Sequence, residues 1–376
     1  MLNERTTPEV WPAGQRIALI NPTRYLGNLL LAGHLIQDFL THCQAGNKEL
    51  LIVLDESFRE LLAGTLPEEN LLFYPRQRIN APFIWKKPWQ RYKSYWTCLR
   101  QLRAFRADLA FNLEEDSVAH HLTRFSGAGF KLGCSQLRHK RGYDSVLPIS
   151  FTRRPVGREH RWFSYQEIFA HLGLPETRPA YLRFPARRVN SALPGKLSAL
   201  DIPTDRVLIA LHAGATKVYK QWPAENFVWL ARRLQEAGLF PVFIGAGRAD
   251  REINRAIMAE LSSSASGPVA ADLCDKLDLA ELADFLGGVG ALVGNDSGPS
   301  HLAAALDTPV IVLFGPTDPA LWRPLSASGT VMRGSEACAA ACTRRDCAYD
   351  YRCLKSIEAG RVLEKIMEIQ IVKRYL

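Results

Sequence analysis

The run Asn295-Asp296-Ser297-Gly298-Pro299-Ser300-His301 puts a carboxylate, a hydroxyl, a glycine and an imidazole within a few residues of a predicted helix start. It follows an apolar stretch, 291–293, that reads as a buried strand breaking at Gly294. A strand that empties into a glycine-containing turn and a helix N-terminus leaves backbone N–H groups unpaired. Such a place favours an anion, most often phosphate. Gly298 lets the backbone approach the ligand, and His301 falls one turn further on, on the same face. A second apolar strand, 310–314, ends in the polar loop Gly315-Pro316-Thr317-Asp318 on the same side of the predicted sheet. Asp-Ser-Gly alone is an ordinary helix cap. Two adjacent strand ends with polar loops instead make a nucleotide-type crevice.

Cysteines and cations are the other chemically notable groups. Cys43, Cys98, Cys134 and Cys274 are scattered and read as small buried residues. Cys338, Cys342, Cys347 and Cys353 cluster with three, four and five residues between them. In a reducing compartment stable disulfides are not expected of them. Four thiolates in a short loop suit a structural Zn or Fe; the alternative is a loop whose cysteines pack or oxidise. The net charge of +9 implies an acidic partner. Basic residues crowd 76–106, interleaved with Trp85, Trp89, Tyr92, Tyr95 and Trp96, and again 138–161. Such a mixture suits single-stranded nucleic acid, a membrane interface, or simply a solvated helix face over a few core aromatics. No nucleic-acid motif accompanies it, so no nucleic-acid partner is expected.

These groups need elements to hold them. Strand 16–21, helix 27–43 and strand 49–55 argue for parallel pairing, and strand 108–113 ends at Glu114-Glu115-Asp116. A Pro- and Arg-rich run, 174–193, reads as a linker. Beyond it the alternation restarts: strand 206–212, amphipathic helix 224–238, strand 240–245, helix 249–262, a strand near 269–271, helix 279–286 and the strand at Ala291. A plain dinucleotide-binding domain is disfavoured, because neither Asn21–Gly27 nor Gly245-Ala246-Gly247 completes Gly-x-Gly-x-x-Gly. No stretch reaches the roughly 18 to 20 apolar residues that a membrane span needs. Residues 1–15 lack the basic-then-apolar order of a secretory signal, which predicts a cytoplasmic protein.

Strand, Asn-Asp-Ser-Gly-Pro-x-His, apolar helix, strand, Phe-Gly-Pro-Thr-Asp-Pro resembles glycosyltransferase family 9, the ADP-heptose:lipopolysaccharide heptosyltransferases. The segment His212-Ala213-Gly214-Ala215-Thr216, followed by Lys220-Gln221-Trp222-Pro223, is similar to a second element of that family, with Ala213 where proline is common. The resemblance implies an α/β, GT-B fold: two Rossmann-like domains with a cleft between them, residues 1–180 on the acceptor side and 190–355 on the nucleotide-sugar side. Residues 356–376 are expected as a helix packing back on the first domain. By the same resemblance Thr216 and Lys220 contact the diphosphate, Asp296 holds sugar hydroxyls, and Ser297 and Gly298 turn N–H groups to phosphate. A positioned cation plus N–H groups would stabilise the charge left on the departing diphosphate. His301 either binds phosphate or locks the loop. Asp250 and Glu252 are the carboxylates near the Gly245 strand end for the ribose, although a solvated helix face would read the same way. A subset of the family uses four cysteines for iron.

The family's aspartate base does not carry over. This chain reads Gly27-Asn28-Leu29-Leu30, and an amide cannot take a proton at neutral pH. The replacement candidates are Asp116 first and Glu114 next, with a capped loop as the bland alternative. The expected activity is inverting transfer of a sugar, heptose from ADP-heptose, to lipopolysaccharide core or a related cell-surface glycan. The reaction needs no cofactor, and the anionic glycolipid acceptor would hold the protein peripherally at the cytoplasmic face of the inner membrane. A silent nucleotide-sugar-binding homologue that lost its base at Asn28 is the alternative.

Overall fold

The computed structural model describes residues 15–75, 88–114, 116–134, 142–147, 149, 160–185, 193–263, 269–336, 347 and 349–375. Two compact units divide the chain, Met1–Arg183 and Phe184–Leu376.

The first unit holds β1 (Arg16–Asn21), β2 (Glu49–Asp55), β3 (Leu71–Tyr74), β4 (Leu109–Asn112), β5 (Phe130–Cys134) and β6 (Ser145–Leu147). Its sheet is parallel in the order β3-β2-β1-β4-β5-β6. The second unit holds β7 (Leu208–His212), β8 (Phe240–Phe243), β9 (Ala271–Asp272), β10 (Ala291–Asn295), β11 (Val310–Phe314) and β12 (Gly329–Arg333). Its parallel order is β12-β11-β10-β7-β8-β9. Continuous apolar runs such as Leu-Ile-Val-Leu in β2 and Val-Ile-Val-Leu-Phe in β11 suit strands covered by helices on both faces.

Both orders reverse direction once. In the first sheet the reversal lies between β1 and β4, in the second between β7 and β10. Loops leaving two such strands diverge to opposite faces and open a crevice at the carboxyl ends of the strands. Most of the residues that matter below lie at or beside these two switch points.

The helix Leu26–Ala45 follows β1 and buries Leu29, Leu30, Leu31, Leu35, Ile36 and Phe39. Its middle is crossed by the segment around Leu182, whose N–H donates to Leu30 O at 3.0 Å. Gly33 permits that crossing, since a Cβ there would stand 2.7 Å from Leu182 Cβ. The basic, aromatic stretch forms the helix Pro88–Ala104, with residues 76–87 outside the described set. It buries Cys98, Leu99 and Leu102, packs Tyr95 partly against the same core and leaves Trp96 exposed, so part of the aromatic content is core. Cys43, Cys98, Cys134 and Cys274 are buried, as their isolation in the sequence suggested. Burial pushes the Cys43 thiol up to about 11 and those of Cys98 and Cys274 to about 12.

The C-terminal segment departs from expectation. It forms two helices, Ala359–Met367 and Gln370–Tyr375, where one was expected. Val362, Ile366 and Val372 are fully buried in the core of the second unit, with Trp222, Phe227 and Leu313. The physical reason is the apolar stripe of Ala359–Met367, which finds the uncovered side of helix Ala224–Glu236 and of β11.

Candidate functional site

In the second unit, β10 is buried throughout and delivers Asn295, Asp296 and Ser297 to the start of the helix Gly298–Ala305. Proline in the first turn suits a helix start. Ser297 occupies the cap position in extended geometry yet makes no cap hydrogen bond. Its hydroxyl donates to Asn295 O at 3.1 Å and lies 3.0 Å from His212 Nδ1, so it does not cap the helix N–H groups.

Asn295 binds the loops after β10 and β7 together. Its amide donates to Ala213 O at 2.9 Å and Gly214 O at 3.0 Å, and its carbonyl accepts from Trp222 N at 3.0 Å. Trp222 in turn donates from Nε1 to Ile357 O at 3.0 Å and meets Phe227 edge-on. This carries Lys220 to the mouth of β10, where Nζ lies 2.6 Å from Asp296 Oδ2 and 3.4 Å from Asp296 O. Asp296 is 6% exposed, and its carboxylate fixes the ammonium beside the helix N-terminus. Thr216 is exposed on the same loop. Lys220 and the Asp296-Ser297-Gly298 turn, predicted as parts of two separate sequence elements, are brought together.

His301 is buried, and burial with the nearby Lys220 charge pushes its imidazole down to about 4, against the Asp296 charge that raises it. At neutral pH it is therefore uncharged and offers one N–H, not a cation. Of the two ribose candidates, Glu252 sits on an exposed helix face paired with Arg248 at 2.7 Å. Asp250 instead reaches the β7 loop, 3.3 Å from His212 Nε2 and accepting from Ala246 N at 3.0 Å. Burial works against its charge, but His212 and that N–H win and hold its carboxyl below the usual range. Gly214 and Gly245 make room for it, since a Cβ at Gly214 would overlap Asp250 Oδ1 and one at Gly245 would stand 2.7 Å from Asp250 Cβ.

Sequence reasoning assigned no role to His212 or Asn295. The signal was present: both end adjacent strands with a polar side chain directly before a glycine-bearing loop. In the loop after β11, Thr317 is 5% exposed with its hydroxyl unpartnered among the described residues.

At the first switch point Asp116 caps the helix Ser117–Phe125, accepting from Val118 N at 2.8 Å and Ala119 N at 3.3 Å. Glu114 is placed differently. It is 8% exposed, and its carboxyl accepts from Tyr165 Oη at 3.2 Å and from the side chains of Thr23 and Asn28. Asn112 Nδ2 donates to Glu114 O at 2.8 Å, fixing the turn. Burial pushes the Glu114 carboxyl up to about 7, with the three hydrogen bonds opposing and Asp116 adding to the rise. Asn21, at the end of β1, is 1% exposed with both side-chain polar atoms unpartnered among the described residues.

The cysteine cluster falls partly outside the described set, which omits Cys338 and Cys342. Cys353 is buried, and Cys347 Sγ accepts from Tyr351 N at 3.3 Å. Among the described residues no three His, Cys, Asp or Glu side chains are grouped to hold a metal.

The two parallel α/β sheets, each with one switch point, are those of the GT-B fold. The sequence profile of Glycosyltransferase family 9 (heptosyltransferase) matches residues 95–352, and the chain belongs to that family. Lipopolysaccharide heptosyltransferase 1 of Pseudomonas aeruginosa is 29% identical over 266 residues, 69% of this chain and 67% of its own length. A family 9 glycosyl transferase from Veillonella parvula superposes with a TM-score of 0.76 at 20% identity, over 95% of this chain and 97% of the other. The ADP-heptose LPS heptosyltransferase II of Escherichia coli gives 0.72 at 18% identity, over 96% and 99%.

Proposed function

We propose that this glycosyltransferase moves heptose from ADP-heptose to lipopolysaccharide core or a related glycan, with inversion by direct in-line displacement. The observation that carries the reading is the Lys220–Asp296 pair at the start of helix Gly298–Ala305. Breaking the sugar–phosphate bond leaves negative charge on the β-phosphate. An ammonium already held in place, with N–H groups of Ser297 and Gly298, stabilises it without reorganisation. Thr216 donates to a phosphate oxygen, and His301, uncharged, donates a single hydrogen bond or holds the loop. The named substrates of the relatives, ADP-heptose and LPS, support the sugar and acceptor classes.

The net charge of +9 suits an anionic glycolipid acceptor at the cytoplasmic face of the inner membrane, with the protein held there peripherally. Among the described residues no helix is long and apolar enough to cross a membrane. Co-flotation with vesicles containing anionic lipid, lost at high salt, is the expected result.

A second reading, a homologue that binds nucleotide sugar without transfer, is favoured by one observation: an amide, Asn28, stands where the family resemblance expects an aspartate. Calorimetry with ADP-heptose followed by ADP release with and without core acceptor separates the two. Acceptor-dependent release establishes transfer. Binding with no release on any core acceptor favours the silent homologue.

A further inference from the structure

The first switch point holds a carboxylate in a setting unlike any other acid described in the molecule. Glu114 leaves the end of β4 directly beside the loop that follows β1, and the helix Trp162–His171 closes over it with Tyr165. Its carboxyl is met by an amide, an alcohol and a phenol: Asn28, Thr23 and Tyr165. Thr23 Oγ1 accepts from Tyr25 N at 3.2 Å, which leaves its hydroxyl proton available to Glu114. Asn28 is the half-buried member of this shell, while Thr23 and Tyr165 are buried. A helix cap such as Asp116 has its oxygen engaged by backbone N–H groups. Glu114 meets no such N–H among the described residues.

We propose that Glu114 is the catalytic base that takes the acceptor's proton, entered past the Asn28 amide, and that Asn28 serves as its positioning residue. This rests on the transferase reading above. In the step, the acceptor O–H bond breaks and its proton goes to a Glu114 carboxylate oxygen. The freed oxygen electron pair forms the new bond to the anomeric carbon. The anomeric carbon–oxygen bond to the β-phosphate breaks, and its electron pair stays on the departing nucleoside diphosphate. The proton then passes from Glu114 to solvent.

Two physical arguments support the assignment. A base works best when its pKa lies near the operating pH, and burial lifts this carboxyl to about 7. Among the described residues, Asp116 raises it by like charge, Tyr165 holds it by hydrogen bond, and Arg161 and Cys134 act on Tyr165 in turn. An amide at position 28 is also the side chain that lets Glu114 ionise. A second carboxylate there would compete with it for one proton.

The test is a charge swap read by turnover and pH profile. Glu114→Gln should still bind ADP in calorimetry and lose at least about a hundred-fold in kcat for acceptor-dependent ADP release. The double variant Glu114→Gln with Asn28→Asp should recover transfer, with the rising limb of kcat/KM moved from near 7 towards the ordinary carboxylate range. A structural role for Glu114 would not restore activity or move that limb. Tyr165→Phe removes one hydrogen bond that favours the charged form and should move the limb upward, which keeps the test open if Glu114→Gln folds poorly. Full transfer by Glu114→Gln overturns the proposal and leaves the transferase reading standing. A wild type that binds ADP-heptose without releasing ADP on any acceptor overturns both.

Discussion

The two switch points are built on the same strand order and hold their carboxylates in opposite ways. At β7 and β10, Asp296 is paired with Lys220 at 2.6 Å beside a helix N-terminus, so negative charge is matched and more can be received. At β1 and β4, Glu114 is surrounded by the neutral donors Thr23, Asn28 and Tyr165, and burial lifts its carboxyl to about 7. On the proposed reading one crevice receives the departing anion and the other takes up a proton. Topology fixes where a site lies, and the side chains at the strand ends fix which charge it tolerates.

The comparison can be broken most directly at Lys220. Lys220→Ala leaves Asp296 buried without its cation and, on the proposed reading, removes the charge that meets the diphosphate. A loss of about 3 kcal/mol, on the order of a hundred-fold or more in kcat/KM, is expected in steady-state ADP release. Retention of near wild-type rates would remove the electrostatic role of this crevice.

The opposite charge logic also predicts opposite pH responses of stability. Glu114 rises from 4.5 when unfolded to about 7 when folded, so the native state binds the extra proton and stability falls as pH climbs through that window. His301 drops from 6.5 to about 4, so the unfolded state binds the extra proton and stability is lost as pH falls through that window. Each effect is worth about 3 kcal/mol at most. Urea unfolding from pH 4 to 7.5 should show wild type losing ground to Glu114→Gln as pH rises, and gaining on His301→Gln. Two profiles of the same slope would break the contrast.

Smaller effects sharpen it. Gly214→Ala forces a Cβ into Asp250, with an expected cost of about 1–3 kcal/mol in unfolding free energy and weaker ADP binding by calorimetry. Asp116→Ala removes a helix cap and should cost about 1 kcal/mol. The rising limb of its pH–rate profile should change little; if that variant lost transfer as Glu114→Gln does, the base would have to be sought at Asp116.

Much of this was legible in the sequence for a physical reason. Buried parallel strands are continuous apolar runs, and the residues that end them are read directly, as at β10, Asn295 and Asp296. Helix starts carry local signals too, and Gly298 with Pro299 marked one. Chain-distant pairings carry no such mark. Glu114, Glu115 and Asp116 are three adjacent acids, and composition could not tell the cap from the buried carboxyl. That distinction depends on Tyr165, 51 residues away, and on the loop after β1. Asp250 and Glu252 pose the same problem two residues apart on one helix, where rotation about the axis sends one inward to His212 and the other outward to Arg248. An amphipathic stripe states that residues 359–372 are covered but not by what, and the structure puts their apolar side in the core of the second unit. The sequence by itself determined most of the strands, the parallel pairing that their helix connections imply, and the strand-to-helix turn after β10, all of which arise from local pattern. Only the tertiary structure decided which acid is desolvated and which is paired, because desolvation and charge pairing are set by neighbours brought from elsewhere in the chain.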